Sequence, residues 1–410
     1  MEKQTSPVIP FSAYQKLIIV ILAFLQFTII LDFMVLSPLG DILMKSLSMP
    51  PSRFALAVSS YAFSAGAAGI LAAGFADKFD RKKLLLFFYA GFMLGTLFCA
   101  LATNYHMLLL ARIITGLFGG VIGSISLAIV TDLYAVHQRG RVMGFIQMAF
   151  AASQVLGIPI GLYLANAWGW HSAFWMIGVL ALIIFITVLL KMKPIDEHLS
   201  LQSDKGPFLH LWHTISNKRY QTGFLAIAFL SVGGFMLMPF GSAYLINNIH
   251  ITQAQLPLIY LFSGLSSIII MPVIGKLSDK MNKFILFTAG SIIAIIMVII
   301  YTNLPVIPLW EVVVINMLLF MGIMSRMIPA TTLNTSIPQM QDRGAYMSVT
   351  ASLQQVAGGI AAVFAGMIVT QKSKAAPLQH YDELGYIVSI VMIVCIYFVY
   401  RISVLVKDAA

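Results

Sequence analysis

The amino-acid sequence predicts an all-α membrane protein whose twelve transmembrane helices form two pseudo-symmetric six-helix bundles. Of the 410 residues, 60% are hydrophobic and only 10% are charged, whereas soluble domains are about 25% charged. Apolar stretches of about 20 residues, the length that spans a bilayer as a helix, recur along the chain between short polar breaks. A charged loop pattern of the first half returns in the second half.

The apolar stretches predict helices and not barrel strands. They are continuously apolar, whereas barrel strands alternate polar and apolar residues over about 10 residues. The first stretch begins near Gln15 and, at about 22 residues, is too long for a signal-peptide core. The predicted spans are 15–38, 54–76, 84–103, 107–131, 142–166, 172–191, 221–246, 256–277, 284–303, 309–333, 345–369 and 385–406.

The basic residues predict the orientation of the chain. It carries 25 Lys and Arg against 15 Asp and Glu, an excess that in a soluble protein would suggest nucleic-acid binding. Most of them lie in alternate loops and in the tails, and cytoplasmic loops of membrane proteins are enriched in Lys and Arg. We therefore expect a multi-pass protein of the cell inner membrane with both termini in the cytoplasm and no nucleic-acid partner.

A polar stretch from Lys191 to Tyr220 divides the chain into two halves. It is the longest predicted cytoplasmic segment, and it mixes charges of both signs with Pro and Gly. The predicted domains are a first six-helix bundle at 1–191, a cytoplasmic linker at 192–219 and a second six-helix bundle at 220–410.

The two halves carry matching charged loops. GFADKFDRKK around Asp77 and GKLSDKMNKF around Asp279 both lie between the second and third helix of their half. QRGRVMG from Gln138 and QDRGAYMS from Gln341 both link the fourth and fifth helices. The shared offset of about 200 residues indicates an internal repeat, and in transporters the substrate site lies at the interface of such repeats.

Four motifs occupy corresponding places in the predicted helices. They are an acid ahead of a proline in the first helix, an acidic and basic loop after the second helix of each half, an arginine motif in the fourth helix and a glycine–proline motif in the fifth. Their residues are Asp32 and Pro38; Asp77, Lys78, Arg81 and Lys82; Arg112, Thr115 and Gly116; Gly157, Pro159 and Gly161; and Gly275, Asp279, Lys280 and Lys283.

With these motifs at these helices, the chain resembles the major facilitator superfamily over essentially its whole length, in particular the twelve-helix drug:proton antiporter and sugar-efflux branch. The first loop departs from the family pattern where Asp80 replaces a glycine. The resemblance implies the major facilitator fold and a monomeric secondary transporter in contact with membrane lipids. Such a transporter would export a small amphipathic or drug-like substrate in exchange for protons by alternating access. An exporter or symporter of an organic anion or lysolipid is the alternative.

Asp32 is the carboxylate that lies deepest in a predicted span, and an intramembrane acid is a functional candidate by default. Counting about 1.5 Å per residue, Arg112 in the fourth span lies at a similar depth. One hypothesis makes Asp32 the proton carrier and Arg112 its modulating partner, because burial favours a neutral carboxyl group and a nearby guanidinium favours a charged one. The alternatives are a permanent ion pair and direct contact with the substrate.

Arg326 in the tenth span has no acid at a similar depth. It either binds an anionic group of the substrate or extends to the inner interface, with carbonyls around Pro329 as partners. Amides and aromatic rings in other spans extend the predicted substrate site, since amides that face lipid are costly. These further residues are Gln147, Gln154, Gln354, Gln355, Tyr61, Phe235 and Tyr244.

The charged loops provide predicted latches at the inner face. Asp77 with Arg81 forms one pair and Asp279 with Lys283 forms the other, while Asp132 at the end of the fourth helix is a second partner for the first pair. Breaking such a pair would ease inward opening. The alternative is a solvated loop that only sets the topology.

The fifth span combines small residues with a proline at Gly157, Pro159 and Gly161. Small residues let helices approach closely, and a proline removes one backbone hydrogen bond. These positions therefore predict either a hinge or a packing site.

The sequence carries no enzyme signature. The patterns HExxH, GxSxG and GxxxxGK[ST] are absent, so no zinc protease site, nucleophile elbow or ATP site is visible. Cys99 and Cys395 are the only cysteines and lie far apart in apolar stretches, which excludes a disulfide framework. We predict a protein that is not an enzyme and that needs no metal or cofactor.

Overall fold

Twelve helical segments of the described chain are long and apolar enough to cross a membrane. The computed structural model describes residues 11–72, 78–196, 199, 207–339 and 342–407. Within these residues the backbone is almost entirely helical, with one isolated β-bridge between Thr370 and Gln379. The predicted fold class is confirmed.

The described helices of the first half supply spans one to six. They are α1 (Ala13–Val35), α2 (Gly40–Ser46), α3 (Pro51–Ala72), α4 (Arg81–Ala100), α5 (Tyr105–Leu133), α6 (Val136–Ala152), α7 (Ile158–Trp168) and α8 (His171–Lys191).

The described helices of the linker and the second half supply spans seven to twelve. They are α9 (Pro207–Ser216), α10 (Lys218–Phe235), α11 (Gly241–Asn247), α12 (Leu256–Lys280), α13 (Lys283–Thr302), α14 (Leu309–Thr335), α15 (Arg343–Ile368) and α16 (Tyr381–Lys407).

Polar side chains fix where several helices begin. Ser12 and Gln15 form a capping box at the start of α1, in which each side chain accepts a hydrogen bond from the backbone N–H of the other. Asp80, Asn104 and Asn282 accept backbone N–H groups at the starts of α4, α5 and α13. These side chains satisfy the N–H groups that the first turn of a helix leaves unpaired.

The fifth span is interrupted between α6 and α7 by a π-helical turn at Ser153–Gly157. The N–H of Ile158 donates to the carbonyl oxygen of Ser153, five residues earlier. Pro159 follows directly, and a proline lacks the N–H that would close the next regular turn. The wide turn therefore lies directly before the proline of the predicted hinge or packing motif.

Consecutive spans run in opposite directions, so their ends define two faces. We call the end that contains the start of α1 and the end of α16 the terminal face, and the other end, which contains α2, the opposite face.

The two halves pack against each other along α3 with α15 and along the fifth span with α12. A Cβ atom on Gly66 of α3 would lie 2.6 Å from the Val356 side chain, and one on Gly264 of α12 would lie 2.7 Å from Val155. Glycine at these positions therefore lets helices of different halves approach closely, as is typical of membrane interfaces.

Candidate functional site

Asp32 on α1 and Arg112 on α5 form a fully buried ion pair in the first half. Arg112 Nη1 donates to Asp32 Oδ2 at 2.6 Å, and both side chains are 0% exposed. The other carboxylate oxygen accepts a hydrogen bond from Thr96 Oγ1 at 3.1 Å. The two residues that the sequence predicts at similar depth are therefore in direct contact, and both oxygens of the carboxylate have partners.

The Arg112 guanidinium also faces an aromatic ring. Its Cζ lies 4.6 Å from the centroid of Tyr61 on α3, a distance typical of a cation–π contact. Its Nε and Nη2 atoms have no hydrogen-bond partner among the described residues. Tyr61, predicted as a substrate residue, thus contacts the ion pair directly.

A chain of aromatic rings leads from this ion pair to the boundary between the halves. The ring centroids of Tyr61 and Phe33 are 5.2 Å apart, and those of Phe33 and Phe235 are 5.6 Å apart. Phe33 follows Asp32 in the sequence, so one turn of α1 presents the acid to its own half and the ring to the other half. The prediction did not include Phe33, because its position next to Asp32 is the only signal in the sequence.

A narrow cavity lies where these rings meet the second half. Six of its lining residues are Phe33, Val58, Ala62, Phe235, Pro239 and Gln355. Its volume of about 10 Å³ holds roughly one water molecule. The halves are therefore closed around this point, at which the predicted Phe235 lies.

The predicted glutamines lie at different places. Both Gln354 and Gln355 were predicted, and Gln355 is the one among the lining residues of the cavity. Gln154 is 3% exposed beside the crossing of α12, and its Oε1 has no partner among the described residues. Gln147 is exposed. The structure therefore does not bring both Gln147 and Gln154 to the cavity.

Tyr244 belongs to a tyrosine cluster inside the second half. Its ring stacks on Tyr381 with centroids 4.2 Å apart, and it lies 5.8 Å from Tyr301. Together with neighbouring polar residues, Tyr244 and Tyr381 border a second, more open groove of about 370 Å³ at the opposite face. The structure thus separates Tyr244 from the central cavity.

Arg326 on α14 is buried at 2% exposure. Its guanidinium lies 5.5 Å from the centroid of Phe287, and its Nε and Nη2 have no hydrogen-bond partner among the described residues. The side chain does not extend to an interface, so the predicted alternative of carbonyl partners there is not observed.

The predicted latch in the first half contains one observed ion pair. Arg81 Nε lies 3.0 Å from Asp132 Oδ2 at the terminal face, which joins the start of α4 to the end of α5. Asp77 and the side chain of Asp279 lie outside the described residues, so their predicted pairs with Arg81 and Lys283 remain predictions.

The glycines of the fifth span face α1. A Cβ atom on Gly157 would lie 2.6 Å from the Leu31 side chain, and one on Gly161 would lie 3.2 Å from Val35. These contacts bring the π-helical turn against the segment of α1 that carries Asp32.

Asp41 on α2 is the centre of a hydrogen-bond network between the halves at the opposite face. It is 1% exposed and accepts hydrogen bonds from Lys45 at 2.8 Å, from Asn247 at 2.7 Å and from Gln253 at 3.1 Å. Asn247 and Gln253 belong to the second half. The prediction missed this network, because its members lie in short segments between spans that carry no recognisable motif.

Comparison with known proteins identifies a family and a fold. A family model described as Major Facilitator Superfamily matches residues 22–404. An uncharacterized MFS-type transporter, YceJ, of Bacillus subtilis (strain 168) is 26% identical over 285 residues, which is 69% of this chain and 71% of that protein. A probable sugar efflux transporter of Mannheimia succiniciproducens is 28% identical over 188 residues, 45% of this chain and 47% of the relative.

A solved structure extends the likeness to the whole fold. The bacterial homolog of the human lysosomal transporter Spinster, in an inward-facing and unoccupied conformation, superposes with a TM-score of 0.75. The superposition covers 97% of this chain and 99% of the other at 15% identity.

Proposed function

The chain belongs to the Major Facilitator Superfamily and is a multi-pass membrane transporter rather than an enzyme, and from this premise we propose that it exports a small amphipathic or drug-like molecule in exchange for protons by alternating access. The buried Asp32–Arg112 pair is the observation that carries the proposal. The sugar-efflux relative supports the direction of transport.

Protonation of Asp32 provides the proposed coupling. A neutral Asp32 no longer balances the charge of Arg112, whose guanidinium already lies over Tyr61. The helix turn that carries Asp32 also carries Phe33, which contacts Phe235 in the other half. Gain or loss of the proton therefore changes the same turn that borders the substrate cavity.

Alternating access follows from the positions of the contacts between the halves. We propose that residues 1–191 and 220–410 act as the two moving bundles of one monomer in the inner membrane, with the terminal face and both termini in the cytoplasm, as the basic loops predict. The network around Asp41 holds the opposite face closed, so the substrate enters from the cytoplasm and leaves when this network breaks.

Proteoliposomes with an imposed pH gradient test the proposal. We first screen amphipathic anions, cations and neutral compounds for thermal stabilisation of the purified protein, because a ligand at 100 times its Kd stabilises a protein by about 2.7 kcal/mol. The stabilising compound is then assayed for transport driven by the gradient. Asp32→Asn should abolish gradient-driven accumulation while exchange of labelled for unlabelled compound without a gradient continues.

Two further variants make the result specific. Asp32→Glu keeps a titratable group and should retain part of the gradient-driven transport, whereas Glu383→Gln removes an exposed carboxylate that bonds only His380 among the described residues and should leave transport unchanged. Undiminished gradient-driven transport in Asp32→Asn would reject Asp32 as the proton carrier.

A further inference from the structure

The charges inside the described spans do not balance. Three charged side chains are both buried and placed mid-span: Asp32, Arg112 and Arg326. Asp32 is bound by Arg112, so the guanidinium of Arg326 is left without a counterion in the part of the chain that the structure describes. Buried charges in proteins are normally paired, because an unpaired charge in a medium of low polarity is strongly unfavourable.

The surroundings of Arg326 do not compensate its charge. The guanidinium lies 5.5 Å from the centroid of the Phe287 ring, and the thiol of Cys395 is near it without a hydrogen bond to Nε or Nη2. That thiol lies 3.7 Å from the carbonyl oxygen of Ala226, to which it donates. Both neighbours are uncharged, and they leave the positive charge in place.

The two unpartnered nitrogens of Arg326 form one edge of the guanidinium. They are Nε and Nη2, whose N–H groups are parallel and match two oxygens of a carboxylate, phosphate or sulfonate. The geometry of the free donors therefore fits an anionic group better than it fits a single carbonyl oxygen.

Arg326 lies against α10 close to the boundary between the halves. A Cβ atom on Gly233 of α10 would lie 3.3 Å from the Met392 side chain and 3.8 Å from Arg326 Nη1. Phe235, in the same helix, lines the central cavity. The guanidinium therefore lies beside α10 two residues before the position whose ring lines the cavity.

We infer that Arg326 binds an acidic group of the transported molecule, so that the substrate is an amphipathic organic anion. Its apolar part packs against the aromatic rings of Phe33 and Phe235, and its acidic group supplies the charge that the second half lacks. This inference rests on the proposed function, since it names the class of substrate for the same central site.

Matched naphthyl compounds test the inference. The anionic probes are naphthalene-1-acetate, naphthalene-1-sulfonate and 1-naphthyl phosphate, and the controls are neutral naphthalene-1-acetamide and cationic (1-naphthylmethyl)trimethylammonium. Binding to the wild-type protein in lipid nanodiscs is measured by thermal unfolding at increasing concentrations. We expect at least one anion to bind more tightly than both controls, and Arg326→Gln to weaken that anion on the order of 100-fold.

Arg401→Gln is the matched control, because Arg401 is exposed near the end of α16 and bonds Tyr397. It should bind the anion as the wild-type protein does. Failure of all three anions to stabilise the wild-type protein, or equal binding of the anion to Arg326→Gln, overturns the inference.

Stability without ligand gives an independent readout. A buried charge that only a ligand neutralises destabilises the protein without ligand. Arg326→Met should therefore keep or raise the unfolding temperature of the ligand-free protein. The same variant should no longer bind the anion. A lower unfolding temperature together with retained anion binding would show that Arg326 is structural.

The two proposals fail in different ways. If Arg326→Gln binds and transports the probes normally while Asp32→Asn loses gradient-driven transport, the anion site is wrong and the proton-coupled function stands. If anions bind through Arg326 but no gradient drives their transport, the proton-coupled function is wrong and the anion site stands.

Discussion

At the residue scale, two buried arginines in related helices have opposite electrostatic situations. Arg112 has Asp32 at 2.6 Å, whereas Arg326 has no carboxylate partner among the described residues. The sequence predicted the contrast, because counting residues along a helix gives the depth of each group. Counting does not give the direction of the side chain, so the burial of Arg326 had to come from the structure.

The Asp32–Arg112 pair predicts a strongly non-additive pair of substitutions. Asp32→Ala leaves a buried guanidinium unpaired and should lower the free energy of unfolding by about 3–5 kcal/mol. Asp32→Ala combined with Arg112→Met removes both charges and should recover much of that loss. Reversible denaturation in mixed micelles measures the cycle, and additive effects of the two changes would mean that the pair is not coupled.

The ring of Tyr61 should matter more than its hydroxyl group. Tyr61→Phe keeps the face that lies 4.6 Å from Arg112, whereas Tyr61→Leu removes a desolvated cation–π contact worth about 2 kcal/mol. We expect Tyr61→Leu to lower both the stability and the transport rate and Tyr61→Phe to preserve them. Equal losses in the two variants would assign the effect to the hydroxyl group.

At the element scale, the glycine–proline motif of the fifth span coincides with a change of helix type. Gly157, Pro159 and Gly161 predicted a hinge or a packing site, and the structure has one π-helical turn at Ser153–Gly157 directly before this proline. A proline fixes where a regular helix must change. The contact of this turn with α1 depends on packing, which no local pattern encodes.

The two glycines of this span should respond differently to the same substitution. A Cβ atom on Gly157 would lie 2.6 Å from the Leu31 side chain, whereas one on Gly161 would lie 3.2 Å from Val35. Gly157→Ala should therefore lower the free energy of unfolding by about 1–3 kcal/mol through overpacking, and Gly161→Ala should cost less. Thermal unfolding in detergent measures both variants, and a larger loss at Gly161 would contradict this packing.

At the scale of the whole molecule, polar contacts join the two halves at the opposite face. The network of Asp41, Lys45, Asn247 and Gln253 joins α2 to the second half at the opposite face. The central cavity, with a volume of about 10 Å³, has room for about one water molecule.

Weakening this network should favour opening of the opposite face. Asp41→Asn removes the charge that holds Lys45 and should shift the balance by about 1–3 kcal/mol, or 5–150-fold in population. A cysteine introduced at Ala362, which lines the cavity, reports the opening through its rate of reaction with a membrane-impermeant maleimide. Cys99 and Cys395 are buried and provide a low background.

Asp382→Asn is the control for that experiment. Asp382 is an exposed carboxylate of the opposite face, and it borders the second, more open groove beside Tyr244 and Tyr381. It should leave the labelling rate unchanged. Slower or unchanged labelling in Asp41→Asn would mean that this network does not hold the face closed.

The sequence by itself determined the number of spans, the positions of the charged loops and the family resemblance. A bilayer restricts the order of residues along the chain in ways that the sequence shows directly. Every spanning helix needs about 20 apolar residues, and basic loops mark one side of the membrane. Depth along a helix also follows from the order of residues, which is why Asp32 and Arg112 could be paired in advance.

Only the tertiary structure decided which side chains meet across the halves. Phe33, Gln355 and the partners of Asp41 come from segments distant in the sequence, and their meeting depends on how each helix is rotated about its axis. In a membrane, lipid and protein interiors are both apolar, so hydropathy does not distinguish the faces of a helix. For that reason Gln354 and Gln355 could not be told apart from the sequence, whereas packing places Gln355 at the cavity.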